Sequence, residues 1–466
     1  MKQPALTFYG GKFMALVPVA IYTFFCLLLF VFYRAFNMEA LAVGGFLALL
    51  IGGIFARSYR QFWEAATRGI SSLPSVSVIM ILLMVGMFSA LIKLCGLSNG
   101  FVWLATALGV HGGLFVAFTF LATCVVSTAT GSSIGTMFIA FPIFYAAGGQ
   151  LGANEMMLAG SIVSGAIFGD NLAPISDTTI ASASTQQFQN GQPADIGGVV
   201  RSRFKYSAVA ASVTLVIYIM LGGVGGHFQG GKLAQAASPA PLIMLLPVAV
   251  MLMVAVKTRN IYAGLLVGLG LGTVTGLAFG LFKSSAIFAN HAAENKITGF
   301  LVTGLNDILP TVALVIAVFG IMGVLTEAGV LDDLAQQVLR HPLGKTARGT
   351  ELIAMLGTSL VTIIFGGVTS AAILTAGPIV NKIGQAHQLH PYRRANLLDG
   401  TANSLPALVP FLSVFIFIGA ALTKLSPVTV ALGTIYGIVL FGVYLVAVVT
   451  GWGRRLEAPQ EVESRN

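Results

Sequence analysis

In this chain of 466 residues, 56% are hydrophobic and only 9% charged, far below the roughly 25% charged content of water-soluble domains, so water is excluded as its main solvent. The formal charge of +9 does not point to nucleic acid, because the basic residues are parcelled into short connections between apolar runs instead of gathering on one face. Apolar runs able to cross a hydrocarbon layer of about 30 Å recur along the whole length. In chain order the expected spans are 14–33, 39–56, 73–92, 113–129, 131–147, an interrupted span 155–186, 206–226, 241–256, 260–282, 310–329, 349–366, 367–382, a second interrupted span 395–424, and 427–450. The first run follows Lys2 and Lys12 but is about twenty residues long and lacks a small-residue cleavage site, so it reads as a retained helix, not a secretory signal. Cys26, Cys95 and Cys124 stand singly in or beside apolar runs, with neither zinc-site spacing nor a disulfide framework.

Threading the chain with its N-terminus inside leaves six of the 25 basic residues outside: Arg34, Lys93, Lys232, Lys283, Lys296 and Lys424. The other nineteen, among them Arg203, Arg340, Lys345, Arg393, Arg394 and Arg454, fall on the cytoplasmic side, which is the asymmetry of the positive-inside rule. Both termini are therefore expected in the cytoplasm, with the chain in a plasma membrane of the bacterial inner-membrane kind.

The two halves of the sequence are related. Pro74, Pro142 and Pro174 recur 236 positions later as Pro310, Pro378 and Pro410, and the small polar run at 131–134 has a partner at 367–370. The connection after the opening helix carries Lys93 alone in the first copy but Arg340, Lys345 and Arg348 in the second. The copies are thus expected to be inverted, the plan by which many secondary transporters alternate between two access states. The fold class expected is an all-α polytopic membrane protein with two inverted structural repeats, broken transmembrane helices and re-entrant hairpins. Its parts are N-terminal helices and an amphipathic segment over 1–72, repeats over 73–205 and 308–426, linking helices over 206–307, and a C-terminal helix and tail over 427–466. Gly264, Gly268, Gly272, Gly276 and Gly280 recur every four positions and read as a helix-packing face, not a nucleotide loop.

A charge in mid-bilayer costs at least about 2.5–3.5 kcal/mol, so an acid kept inside an apolar span needs a partner or a purpose. The run GDNLAPISDTT at 169–179 interrupts the sixth span with two acids, Asp170 and Asp177, together with Asn171, Ser176, Thr178 and Thr179. Pro174 breaks the helix there, freeing carbonyl oxygens that join carboxylates and hydroxyls as hard ligands for Na⁺, with Asp170 and Asp177 as the metal-binding acids. The alternative is a surface loop in which Asp177 caps the next helix. The run DGTANSLP at 399–406 interrupts the second half at the related place and offers Asp399, Thr401, Asn403 and Ser404, or else trails as a loop from Arg393 and Arg394. Thr130, Ser132 and Ser133, with Thr369 and Ser370, occupy matching hairpin tips and are secondary candidates, unless they satisfy their own helix backbone. No basic residue occurs within either run. Asp307 is expected to cap a helix starting at Pro310, and Glu327 to sit at an interface before the amphipathic stretch 331–339. The six histidines, His111, His227, His291, His341, His387 and His390, all fall in connections, so proton coupling would rest on an aspartate.

The run at 169–179 resembles the signature of the NhaC-type Na⁺/H⁺ antiporter family within the larger ion-transporter superfamily, and the run at 399–406 fits its second half. The resemblance implies cation-coupled transport and implicates Asp170, Pro174, Ser176, Asp177, Thr178 and Thr179. The family often has a basic residue after the first aspartate and an asparagine after the paired threonines, where this chain has Asn171 and Ile180. The expected activity is Na⁺/H⁺ antiport by alternating access; the alternative is Na⁺- or H⁺-coupled transport of a small organic solute such as an amino acid or carboxylate. A channel would want a continuous polar pore, and no metalloprotease or nucleophile-elbow motif supports an enzyme. Expected partners are the lipid bilayer, Na⁺ and H⁺, a small organic solute and a second copy of the chain. No nucleic acid is expected, nor any cofactor beyond the transported or coupling ions.

Overall fold

The computed structural model describes residues 6–29, 33, 38–226, 238–258, 260–291, 296–330 and 346–457. Lys2, Arg34, His227, Lys232, Arg259, the stretch 331–339, Arg340, His341, Lys345 and Arg465 lie outside the described residues.

Helices dominate, and the strands among the described residues are one short hairpin, Ala289–His291 antiparallel to Lys296–Thr298. Seven described helices are long and apolar enough to cross a membrane, or eight if the bent pair Val414–Thr423 and Pro427–Gly433 forms one span. The sequence reading proposed fourteen segments; several of them are shorter apolar helices, such as Lys12–Cys26, Glu39–Ile54 and Ala240–Ala255. Three boundaries differ in an informative way. The span expected from 206 begins ten residues earlier, as Ile196–Leu221, because Asp195 accepts the Gly198 N–H and caps a helix there. The span expected from Pro310 is Phe300–Glu327, so Asp307 lies inside a helix on an exposed face and caps nothing. Pro310 is carried within that helix. The last span, expected unbroken over 427–450, divides into Pro427–Gly433 and Ile435–Thr450, and the first piece turns by 108° from Val414–Thr423 across Lys424 in the left-handed region.

The element order of the first half recurs in the second. Leu73–Leu94, Gly113–Thr130, a helix restarting at Ser133, and the interrupted pair Glu155–Leu172 and Asp177–Ser184 are answered by Phe300–Glu327, Ala347–Ile364, Thr369–Ala386, and the interrupted pair Pro391–Ala402 and Val414–Thr423. The two opening helices pack against each other. Gly86 and Gly304 permit this: a Cβ built at Gly86 would stand 2.3 Å from the Gly304 carbonyl oxygen, so these backbones touch as small-residue faces do in membranes. Val17–Leu27, Met38–Ile54 and Tyr59–Ile70 wrap the outer side of Phe300–Glu327 around a separate apolar cluster that includes Tyr22, Leu49, Phe62 and Leu314. Gly264, Gly268, Gly272 and Gly276 form the buried face of Ile261–Ala278, as the four-residue spacing predicts, but Gly280 lies beyond that helix in a turn. The three cysteines are buried and unpaired.

Candidate functional site

Both interruptions are built by local chemistry. Asn154 caps Glu155–Leu172 through the Met157 N–H, and the helix ends at Ala173, just before Pro174. Ser176 then caps Asp177–Ser184 by accepting the Thr178 N–H at 3.3 Å. In the second half Pro391–Ala402 gives way to a single 3₁₀ turn, Leu405–Leu408, before Ser413 caps the next helix. Gly131, at φ 66°, makes the tight turn between Gly113–Thr130 and Ser133–Ala140, and a side chain there would meet Ile175 at 2.6 Å. A glycine at this corner is what lets the hairpin tip lie against the first interruption.

Asp170 occupies the last turn before the break and is 2% exposed. Ser176 donates to its Oδ1 at 2.5 Å and Ser133, from the hairpin tip, donates to its Oδ2 at 2.9 Å. Asp177 is exposed, and its Oδ1 accepts the Thr178 N–H at 3.0 Å. A cavity of about 310 Å³ receives both acids, together with Ser132, Ser133, Thr369 and Ser370. The hydroxyls can donate to a carboxylate when no ion is present and turn a lone pair toward a cation when one is, which makes this a set of hard-oxygen ligands of the kind Na⁺ takes. Thr130 is spent locally instead, on Thr136 at 3.0 Å and the Ser127 carbonyl at 3.3 Å.

The second acid is held differently. Asp399 is fully buried; Asn403 and Asn171 donate to its Oδ1 at 2.6 and 3.0 Å, while Ser182 donates to its Oδ2 at 3.2 Å. Arg203 pairs with the same Oδ2 at 2.5 Å and spends its other donors on the Asn171 carbonyl, Thr179, Ser182 and Asn396. Thr178 ties the two interruptions together, sharing a hydrogen bond with Ser176 at 2.9 Å and accepting from Asn403 at 3.3 Å. Thr401 Oγ1 and Asn403 Oδ1 are buried without a hydrogen-bond partner among the described residues. Ser404 donates to the Thr401 carbonyl at 2.6 Å and so serves its own backbone.

A second cavity, of about 250 Å³, adjoins the first: Phe319 and Val368 line both. Arg68 and Glu327 stand at it, joined at 2.8 Å with side chains 41% and 34% exposed. The cavity of Asp170 and Asp177 and that of the half-exposed ion pair thus share two apolar lining side chains.

One expectation fails here. Arg203, placed by the sequence reading in a cytoplasmic connection, is fully buried at the site, so the interruptions are not without a base. Arg393 and Arg394 are buried and Arg454 half-buried, each engaged within the fold. Arg393 grips buried Glu351 through Nε at 2.8 Å and Nη2 at 3.2 Å, Arg454 reaches the same acid at 2.7 Å, and Arg394 bonds the Asn381 carbonyl and side chain. Sequence reasoning also passed over Ser182, Ser207, Glu351 and Asn396. A signal for Arg203 was present: Val199, Arg203, Tyr206, Ser207, Ala210, Thr214 and Tyr218 recur at helical spacing and are the buried face of Ile196–Leu221.

Apolar helices, two interruptions that meet, and carboxylates buried between them define a multi-pass membrane protein of the secondary-transporter class, not an enzyme. The chain belongs to the Na⁺/H⁺ antiporter family, whose profile matches residues 5–222 and 188–452. It is 24% identical over 434 residues to the malate-2H⁺/Na⁺-lactate antiporter of Bacillus subtilis, covering 85% of this chain and 88% of that one. It is 24% identical to the arginine/ornithine antiporter ArcD of Halobacterium salinarum over 75% of this chain and 73% of that one. With the Na⁺/H⁺ antiporter NhaC of Alkalihalophilus pseudofirmus it shares 25% identity over 71% and 73% of the two chains. Among solved structures, the YdaH transporter of Alcanivorax borkumensis aligns over 94% of this chain and 99% of its own, at 12% identity and a TM-score of 0.33.

Proposed function

We propose that this antiporter exchanges Na⁺ for H⁺ across the plasma membrane by alternating access, with both termini in the cytoplasm. The observation that carries the reading is the shared cavity of Asp170 and Asp177, one acid buried and the other exposed, with serine and threonine hydroxyls around them. Na⁺ and protons compete for the same carboxylate oxygens, so one site can carry either ion but not both at once. The matched order of elements in the two halves, with the opposite distribution of basic residues, supports an inverted repeat as the device that opens this site to alternate sides.

The test is lumenal pH in proteoliposomes, read with a pH-sensitive dye at clamped membrane potential on adding Na⁺ or Li⁺, in wild type and Asp170→Asn. Na⁺-driven proton movement in wild type alone upholds both activity and site. Proton movement that survives in Asp170→Asn overturns the site.

A second reading, cation-coupled exchange of a small carboxylate or amino acid, has its own support. A volume of about 310 Å³ exceeds the need of a bare ion and falls at the low end of small-ligand pockets. Two relatives carry such solutes in their names, malate and lactate in one and arginine and ornithine in the other. Should Na⁺ alone move no protons, uptake of labelled carboxylates and amino acids into the same vesicles decides for this reading.

A further inference from the structure

A cavity of about 740 Å³ lies away from the acids, at the N-terminal end of Ile196–Leu221. Three cations line it, Arg201, Lys205 and Arg455, against one carboxylate, Asp195. That carboxylate is already engaged, accepting from the Tyr392 hydroxyl and from the Gly198 N–H at 2.6 Å. Arg201 and Arg455 are exposed, and among the described residues their side chains hold no hydrogen bond or ion pair. The Lys205 ammonium rests against aromatic rings, 4.9 Å from the centre of Tyr206 and 5.8 Å from that of Trp452. Among the described residues, the cavity therefore presents an excess of positive charge.

The helix that carries two of these cations shows what they face. Val209, Val213, Val216 and Met220 are exposed at successive turns of Ile196–Leu221, the row an apolar helix turns toward hydrocarbon. Continued toward the N-terminus, the same row arrives at Lys205 and Arg201. Phe204 beside them is 59% exposed, and Trp452 and Leu456, flanking Arg455, are 40% and 57% exposed. A face that passes from apolar to aromatic and basic along one helix is leaving the acyl chains for the headgroup layer.

We propose that this cavity is a binding site for the phosphate of an anionic phospholipid headgroup, with Arg201, Lys205 and Arg455 as its cationic contacts and Phe204, Trp452 and Leu456 against the upper acyl chain. Clustered Lys and Arg at a membrane surface attract anionic lipid, and the fork of an arginine suits phosphate oxygens. Tyr392 opens Pro391–Ala402, the helix that also carries Asp399, so the lipid would sit between the start of that helix and Ile196–Leu221.

The experiment is native mass spectrometry of the full-length protein in neutral detergent, comparing retention of phosphatidylglycerol with phosphatidylcholine. The expected result is a preference of at least about tenfold for the anionic lipid. It should fall close to unity in the Arg201→Gln/Lys205→Gln/Arg455→Gln variant and drop by about threefold or more in Arg455→Gln alone, which changes one exposed side chain outside the helices and leaves the packed helix untouched. Displacement of the lipid by millimolar inorganic phosphate would overturn the lipid as occupant in favour of a soluble anion. No preference in wild type, or a preference unchanged in both variants, overturns the proposal.

Discussion

Arg203 Nη1 lies 2.5 Å from Asp399 Oδ2 with neither side chain exposed, so the helix Ile196–Leu221 supplies the counter-charge for the second interruption. Two ions so placed repay their desolvation only with further hydrogen bonds around them, and Arg203 also bonds Asn171, Thr179, Ser182 and Asn396. Removing one partner strands the other. Arg203→Met should therefore lose about 3–5 kcal/mol of stability, read as the unfolding midpoint in detergent. Arg203→Met/Asp399→Leu should recover much of that loss while remaining inactive. A double variant as unstable as the sum of its singles would mean the pair is not coupled. Arg203→Lys should rescue poorly, because a point ammonium cannot reach this many acceptors at once.

Asp170 makes the complementary case. Its two oxygens accept from Ser176 and Ser133 on different elements, so the hydroxyls fix the carboxylate between the break and the hairpin tip. Each hydrogen bond to a charged acceptor is worth about 1.5–3 kcal/mol. Ser133→Ala is expected to raise the half-saturating Na⁺ concentration about tenfold or more with little loss of maximal rate, whereas Asp170→Asn should abolish transport without preventing insertion. Transport by Ser133→Ala with an unchanged Na⁺ dependence would remove that serine from the site.

What could be read from the sequence follows from which interactions are local. Pro174 between two acids announces its own helix break, and Gly131 its own turn, because their backbone restrictions act within a few residues. The burial of Arg203 was hidden for the opposite reason. Arg203 and Asp399 are 196 positions apart in the chain, and an arginine three residues from a span boundary looks the same whether its neighbour is water or a carboxylate from another helix. Positive-inside counting treats every such residue as solvated. The register of Ile196–Leu221, set by Asp195 as its cap, was the missing step that would have turned Arg203 inward.

Asp195 and Tyr392 give a pH-dependent prediction outside the membrane-spanning segments. The Tyr392 hydroxyl, followed by the Gly198 N–H, holds the Asp195 carboxyl below its usual range. A depressed folded-state value means the stabilisation is complete above the unfolded value of about 3.9 and disappears as pH falls through the lower folded value. Tyr392→Phe should unfold slightly earlier than wild type at pH 6, with the gap closing as pH drops below about 4. The gap is small because solvent screens an exposed pair. Midpoints that differ equally at pH 6 and pH 3 would show that the tyrosine acts by packing alone.

Orientation can be checked on an almost silent cysteine background, since Cys26, Cys95 and Cys124 are all buried. Arg60, with its side chain 89% exposed, and Lys283, also exposed, belong to opposite sides under the positive-inside assignment. A membrane-impermeant maleimide added outside intact cells should label Lys283→Cys and spare Arg60→Cys. The reverse pattern inverts the whole topology.

The ion pair of Arg68 and Glu327 is suited to opening. At 2.8 Å but with 41% and 34% of its side chains exposed, it is worth only about 0.2–1 kcal/mol, a strength that thermal motion can overcome. Ser72 lines the same cavity, and Phe319 and Val368 line both it and the one holding Asp170 and Asp177. Loss of so weak a pair should leave the unfolding midpoint nearly unchanged while exposing what it covers. In Glu327→Ala, the rate of thiol labelling at Ser72→Cys is expected to rise by up to about fivefold, the factor that 1 kcal/mol permits. Exchanging the charges, as Arg68→Glu/Glu327→Arg, should bring the rate back toward wild type, because attraction across the gap depends on opposite sign and not on which helix carries which charge. A labelling rate indifferent to all of these changes would assign the closure to Phe319 and Val368 alone.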